Sequence, residues 1–150
     1  MMESQCSCST LRQLTRKMTN IYDHHLAADG LTISQYSLLA RIGKYGPIGV
    51  IPLANAMGMD RSTMSRTLKP LIGAGWIESV DLPLEMLTDK RSFGVILSSE
   101  GQRKWKKSMP NWRKAQDEIN AILGDRTHQE LNRLVDDANA KFEQSENAIS

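Results

Sequence analysis

The sequence lacks the features of a membrane protein, a secreted protein or a common enzyme. No apolar run in its 150 residues approaches the ~20 residues that cross a bilayer. The polar segment 1–10 has no apolar core of a signal peptide. It has no glycine-rich phosphate loop and no paired acidic motif, and only Cys8 with His24 or His25 offers a nucleophile beside a base. We therefore expect a cytoplasmic protein that is not an enzyme and does not bind membranes.

Cysteine is also scarce, because the chain has only Cys6 and Cys8. Thiols this close cannot staple a fold, so their role is reactive, metal-binding or negligible. Zinc binding by both cysteines with His24 and His25 is one alternative. The adjacent histidines point about 100° apart on a helix, so they cannot readily face one ion. We expect no metal site and no cofactor.

The net charge is small, but the charged residues are unevenly distributed. The formal net charge is only +2. Residues 51–107 hold nine lysines and arginines against six acidic residues, whereas residues 108–150 hold five against eight. A basic middle followed by an acidic last third is the asymmetry expected if the middle faces phosphates, although chance accounts for it about equally well.

Apolar periodicity predicts two helices in the first third of the chain. Spacings of three and four between residues 9 and 26 indicate an amphipathic helix that breaks at Asp29-Gly30. Thr32 and Gln35 form a capping-box pattern that opens a second helix, with Pro47 as its stop.

The next segment has the pattern of a helix-turn-helix. A short helix over 51–57 ends at Gly58, which can take the left-handed conformation that a tight turn needs. Asp60 is a plausible N-cap for a helix over 61–72 whose apolar side chains face inward. Its outward residues combine short hydroxyls with basic groups, a mixture that suits the major groove of DNA. These candidates are Arg61, Ser62, Thr63, Ser65, Arg66 and Lys69.

After residue 75 the period changes to two and then back to that of helices. Strands are predicted over 76–82 and 92–98, joined by a hairpin tip over 83–91. Ser98 or Ser99 can cap a long helix, and Thr127 with Glu130 forms a second capping-box pattern before a last helix. The sequence thus predicts a mainly α protein with a small β-hairpin wing.

Four segments together resemble the MarR family of regulators. They are LANAMGMDRSTMSRTLKPL at 53–71, GWIE at 75–78, DKR at 89–91 and LSSEG at 97–101. The similarity runs from Leu11 to Phe142. It implies a single winged helix-turn-helix domain over 1–150, with dimerisation helices at about 9–30 and 99–144 and a DNA-binding core at about 32–98.

The resemblance also implies a function. A homodimer would bind a pseudo-palindromic operator in double-stranded DNA, with one recognition helix in each major groove. Arg91 would enter the minor groove, oriented by Asp89. The wing departs from the family because its tip carries Glu85 and several apolar residues, so we expect few phosphate contacts and weak non-specific binding.

Apolar residues of the terminal helices support the dimer. A monomer would expose them as a large patch, which proteins in water avoid. The alternative is that they pack within one subunit. The residues concerned are Trp105, Trp112, Ile119, Ile122 and Phe142.

The sequence leaves two alternatives for the signal that releases the protein from DNA. Cys8 stands at the spacing from Tyr22 and Tyr36 that is typical of the OhrR-like peroxide-sensing branch, although Arg12 stands where that branch has another tyrosine. Oxidation of Cys8 by an organic hydroperoxide, resolved by Cys6 or across the dimer, would then release DNA. Alternatively, a small aromatic or acidic effector binds in a cleft lined by Tyr36, Met18 and Trp105.

These expectations describe a sequence-specific transcriptional regulator, most simply a repressor. The rival from another class is a winged-helix adaptor that binds a protein and not DNA. Replacing Arg61, Arg66 and Arg91 discriminates between the two, because only the regulator depends on them.

Overall fold

The computed structural model describes residues 5–149, and the fold is built mainly of helices. The first half contains α1 (Ser7–Leu26), a 3-10 turn (Ala27–Asp29), α2 (Ile33–Tyr45), β1 (Ile48–Gly49), α3 (Val50–Ala56) and α4 (Arg61–Gly73). The second half contains β2 (Ile77–Val80), α5 (Leu84–Leu87), β3 (Gly94–Leu97), α6 (Ser99–Leu123) and α7 (Asp125–Ile149). None of the helices in this described part is apolar over a length that could cross a membrane. The predicted fold class is confirmed, while the extreme ends of the predicted 1–150 domain lie outside the described residues.

Local capping explains where α2 and α6 begin. The Thr32 hydroxyl accepts from the Gln35 backbone N–H at 3.2 Å, and the Gln35 side chain accepts from the Thr32 N–H at 3.1 Å. At α6 the Ser98 hydroxyl accepts from the Gly101 N–H at 3.0 Å. Both caps satisfy N–H groups that the first turn of a helix leaves without partners. The predicted starts of these helices are therefore confirmed.

The helix-turn-helix is held by a compact apolar core. Met64, Leu68 and Leu71 of α4 are at most 1% exposed, and Leu53 and Ala54 of α3 are buried against the same core. Burial of one such large side chain contributes about 1.5–3 kcal/mol. Gly58, between α3 and α4, has a φ of 64°, as expected for a tight turn.

The sheet has three strands where the sequence predicted two. All neighbours are antiparallel in the order β1-β3-β2, with Ile48 opposite Val95 and Ile77 opposite Leu97. β1 is only two residues long, too short to show an alternating pattern. Its pairing depends on the return of β3, which only the tertiary structure supplies.

The wing tip is also more ordered than the predicted loop over 83–91. Leu84–Leu87 forms the one-turn helix α5, and Leu87 is buried against α3 and β1. The close approach is visible at Gly49, where a Cβ would lie 2.2 Å from the Met86 carbonyl oxygen. Apolar packing of Leu87 explains why this segment coils instead of forming an open hairpin.

The last helix begins differently from the prediction. α7 starts at Asp125, directly after Gly124 with its φ of 75°, so Thr127 lies inside the helix and caps nothing. The Glu130 carboxylate instead pairs with Arg126 at 3.3 Å one turn earlier. The predicted capping box of Thr127 and Glu130 is therefore wrong.

The five apolar residues that were expected to lie at the dimer interface divide into two groups. Trp105 and Ile119 are buried within the chain, and Trp112 stacks on Tyr36 with ring centroids 5.7 Å apart. Assigning Trp105 and Ile119 to a subunit interface was wrong, because α6 packs against α1 and α2 of its own chain. The assignment of the half-buried Trp112 stays a prediction. Ile122 and Phe142 remain 65% and 70% exposed.

Candidate nucleic-acid interface

The exposed face of α4 carries the predicted groove-facing residues. Five of the six are exposed, and Thr63 is half-buried. They lie opposite the buried side chains of the same helix, so α4 is held from behind and presents its polar face outward. The five exposed residues are Arg61, Ser62, Ser65, Arg66 and Lys69.

Asp60 organises the start of this face. One carboxylate oxygen accepts from the Thr63 backbone N–H at 2.8 Å and from the Ser62 hydroxyl at 2.9 Å. The other oxygen accepts from the Thr63 hydroxyl at 3.0 Å. The Thr63 hydroxyl oxygen in turn lies 3.5 Å from Nη2 of Arg66. The sequence indicated Asp60 as an N-cap but not as a partner of two predicted DNA-binding hydroxyls.

The wing places its acid and arginine as the DKR segment predicted. Asp89 accepts from the Arg91 backbone N–H at 2.8 Å, and its second oxygen lies 3.3 Å from Nη2 of Arg91. The Arg91 side chain is 80% exposed, so its guanidinium is oriented yet open to a ligand. Thr88, the residue before Asp89, has a φ of 73° and turns the chain from α5 into the segment of Asp89 and Arg91.

Asp89 also reaches across to the recognition helix. Its carboxylate lies 3.9 Å from Nη1 of Arg61, the first residue of α4. The structure therefore brings the wing arginine and the start of α4 around one carboxylate, a contact that sequence spacing alone does not reveal. An exposed ion pair of this length contributes little to stability, so its main effect is on the positions of the side chains.

Both aspartates are held in the charged form by their neighbours. The pKa of Asp60 is lowered chiefly by the hydrogen bond from the Thr63 backbone, and then by the hydroxyls of Ser62 and Thr63. The pKa of Asp89 is lowered chiefly by the Arg91 backbone hydrogen bond, with smaller effects of the Arg91 and Arg61 charges. Both groups therefore act as hydrogen-bond acceptors at neutral pH.

The cysteines lie away from this face. Cys6 and Cys8 are free and exposed; Cys6 occupies the N-cap position of α1 and Cys8 lies in its first turn. The helix was expected to start after Cys8, but it starts at Ser7. Cys8 and Tyr22 are on the same helix and about 21 Å apart along its axis, so a contact between them requires a second subunit.

The two tyrosines have partners of their own within the chain. The Tyr22 hydroxyl donates to the Gln116 side-chain oxygen on α6. Tyr36 is buried and stacks on Trp112. Burial raises the pKa of Tyr22 and, against the opposing effects of Trp105 and Arg113, that of Tyr36. Redox sensing by Cys8 with these tyrosines stays a prediction.

The proposed zinc ligands are separated. Cys8 and His24 stand near opposite ends of α1, about 24 Å apart along the axis. Across residues 5–149, no three His, Cys, Asp or Glu side chains converge as a metal site would need. One chain therefore cannot bring Cys6, Cys8, His24 and His25 to one ion.

A cavity of about 240 Å³ lies between α2 and α6. Tyr36 and Trp105 line it as predicted, whereas Met18 lies in a different cavity, between α1 and α6. The buried indole nitrogen of Trp105 makes no hydrogen bond of good geometry. Lys44 and Arg113 contribute two cations that the sequence analysis did not single out. Nothing in the spacing of these two residues indicated a shared cavity.

The helix-turn-helix of α3 and α4, followed by the β2-β3 wing, defines a winged helix-turn-helix protein. Sequence comparison agrees, since residues 31–92 match the MarR family. The M. tuberculosis transcriptional regulator MosR, solved in complex with DNA, is 30% identical. That match covers 91% of this chain and 98% of MosR, with a TM-score of 0.74. The chain belongs to the MarR family.

Two further relatives are more distant. The HTH-type transcriptional regulator YwoH of Bacillus subtilis is 24% identical over 124 residues, which are 83% of this chain and 87% of YwoH. A MarR variant from E. coli, solved in complex with operator DNA, has a TM-score of 0.75 at 20% identity. That match covers 87% of this chain and 91% of the E. coli protein, and at this identity it supports the fold alone.

Proposed function

We propose that the protein is a transcriptional regulator, most simply a repressor, that binds an operator in duplex DNA as a homodimer. The observation that carries the proposal is the face of α4, where basic and hydroxyl side chains stand exposed on a helix anchored from behind. The complex of the related MosR with DNA supports the same use of this fold. In each subunit α4 lies in a major groove, and Arg91 enters the neighbouring minor groove.

The proposal is tested by fluorescence anisotropy with duplexes from the upstream region of the gene itself. We expect affinity to fall steeply with salt, because lysines and arginines release counterions from phosphates. Replacing Arg61, Arg66 and Arg91 together should abolish binding while leaving the dimer intact. A triple variant that binds DNA as the wild type does would instead favour the adaptor, whose partner affinity does not need these arginines.

Exposed apolar residues of α7 support the homodimer. No residue of the described part of α7 is buried within the chain, although Leu134, Val135 and Phe142 recur on one side of the helix at 42% to 70% exposure. A cavity of about 200 Å³ between α1 and α6, lined by apolar groups and Lys17, has room for one large side chain. We expect the partner's α7 to cover α1 and α6 there, with an aromatic side chain in the cavity. The terminal helices, at about 9–30 and 99–144, then form the dimer around a DNA-binding core at about 32–98.

The effector that fits the α2–α6 cavity best is a small aromatic acid. Tyr36, Trp105 and Trp112 offer ring faces, and Lys44 and Arg113 can pair with a carboxylate. Binding there would bias the dimer between two spacings of its recognition helices, only one of which matches the operator. Titration with a hydroxybenzoate tests this, since an Arg113→Ala variant should need more ligand to release DNA.

Oxidation of Cys8 remains the second candidate signal, favoured by its exposed thiol in the first turn of α1. An organic hydroperoxide should release DNA from the wild type but not from Cys8→Ser. Equal release from both would remove the redox role. The protein acts by binding and not by catalysis, and it works in the cytoplasm, where a regulator meets its operator.

A further inference from the structure

The hydroxyls at the start of α4 are restricted in what they can bind. Asp60 accepts from the Ser62 hydroxyl at 2.9 Å and from the Thr63 hydroxyl at 3.0 Å. An ionised carboxylate has no proton to donate, so both hydroxyl protons must point toward Asp60. Ser62 and Thr63 can therefore only accept hydrogen bonds from another molecule, through the lone pairs of their oxygens.

The two hydroxyls are not equally available. Thr63 is half-buried, and its oxygen faces Nη2 of Arg66 at 3.5 Å. Ser62 is exposed, and within residues 5–149 no donor is directed at its oxygen. Ser62 therefore presents a free acceptor on the face of α4 that points outward.

DNA offers few donors to such an acceptor. Phosphate oxygens only accept hydrogen bonds, so they have no proton for the Ser62 lone pairs. In the major groove the donors are the exocyclic amino groups of cytosine and adenine. Guanine presents only acceptors there, and thymine an acceptor and a methyl group.

We propose that Asp60 is a specificity-determining residue, which holds the Ser62 hydroxyl as an acceptor and so directs it to an adenine or cytosine amino group instead of a phosphate. The inference rests on the proposed DNA binding and goes beyond it. Asp60 acts through Ser62 and is a positioning residue. Because its own carboxylate is exposed and negative, it also opposes close approach to phosphates.

Asp60→Gly tests the proposal with little change to helix stability. Glycine is tolerated at the N-cap nearly as well as aspartate, so thermal melting should stay near that of the wild type. Asparagine would not serve, because its single oxygen could still accept from both the Thr63 backbone N–H and the Ser62 hydroxyl, as one Asp60 oxygen does. Glycine removes both oxygens, and the Ser62 hydroxyl becomes free to donate.

The experiment uses the full-length dimer and a library of duplexes with randomised positions. Selected half-sites are then measured by anisotropy, with each base pair replaced in turn. For the wild type, we expect one position per half-site where changing adenine or cytosine to guanine or thymine weakens binding about tenfold. Asp60→Gly and Ser62→Ala should both flatten that difference, while other positions keep theirs. Asp60→Gly should also bind unrelated duplexes more tightly, because a negative charge is lost.

Ser65→Ala is the matched control. Ser65 is exposed one turn further along α4, and its hydroxyl is not held by Asp60. This variant should leave the position read by Ser62 unchanged. A Ser62→Ala variant that weakens all duplexes equally would indicate a phosphate contact and overturn the proposal, as would Asp60→Gly retaining the wild-type ratio. If the wild type selects no half-site at all, the proposed function fails first, and the inference with it.

Discussion

Two amphipathic helices, α4 and α7, show opposite uses of the same periodic pattern. In α4 the apolar residues Met64, Leu68 and Leu71 are nearly completely buried by the chain itself. In α7 the equivalent apolar positions remain exposed along the described helix, with Phe142 at 70%. The difference teaches that periodicity predicts a helix with an apolar side but does not say which molecule covers that side.

The starts of α4 and α7 also differ. α4 begins where Asp60 accepts from the Thr63 N–H, a bond within four consecutive residues. α7 follows Gly124, and Glu130, expected to form a capping box with Thr127, pairs with Arg126 instead. Stability of the first helix should therefore respond to changes within the chain, and that of the second to subunit association.

Replacing Phe142, an aromatic side chain of α7 that is 70% exposed, should have the largest effect. We expect Phe142→Asp to give monomers in sedimentation velocity, because a carboxylate cannot enter an apolar interface without a partner. DNA affinity should fall at least about 100-fold, since a monomer contacts one half-site at a time. Leu84→Asp, at a 55% exposed position of the wing tip, is the control and should remain a dimer. A dimeric Phe142→Asp would place the subunit interface elsewhere.

Truncating the α4 core should be the next largest effect. Met64 is fully buried, so Met64→Ala should lower the free energy of unfolding by about 2–5 kcal/mol in urea titrations. Val135→Ala on α7 should change the urea midpoint mainly through its dependence on protein concentration. Equal, concentration-independent losses in both variants would show that α7 is packed within its own chain.

Removing one cation from the α4 face should affect binding and not folding. We expect Arg66→Ala to weaken operator binding about 5- to 100-fold with an unchanged melting temperature. The matched control is Arg126→Ala on α7, where the arginine side chain is 91% exposed. If both variants lose affinity equally, the loss reflects net charge alone and α4 is not the groove-binding helix.

The smallest expected effect concerns the Asp60 cap of α4 and how its contribution to stability depends on pH. The pKa of Asp60 lies below its ordinary value of 3.8 in the folded protein, so its contribution to stability is complete above that pH. The contribution is lost as pH falls through the lowered pKa. Asp60→Ala should therefore melt below the wild type at pH 7, and the gap should close in acid. Thermal melting of both proteins over a series of pH values measures the gap, and a gap of constant size would contradict the prediction.

Much of the fold was predictable because its signals are local. The caps at Thr32, Asp60 and Ser98 each join atoms within three or four residues, and all three start helices as predicted. β1 and the α5 turn were missed because their partners are distant in sequence. The capping pattern at Thr127 misled because a neighbouring arginine competes for the same carboxylate.

The candidate DNA interface was likewise predictable only in part. The outward positions of α4 and the Asp89–Arg91 contact follow from short-range spacing and the DKR segment. The approach of Asp89 to Arg61, and the meeting of Lys44 with Arg113 beside Trp105, depend on how separate elements pack. No pattern within one element encodes such distances.

By itself the sequence determined most of the helices, the strands β2 and β3, and the caps at Thr32, Asp60 and Ser98, because these depend on neighbours a few residues away. Only the tertiary structure decided that Trp105 and Ile119 are buried within the chain while Phe142 is left exposed. The physical reason is that burial depends on which other element packs at that place, and that element can be distant in the sequence.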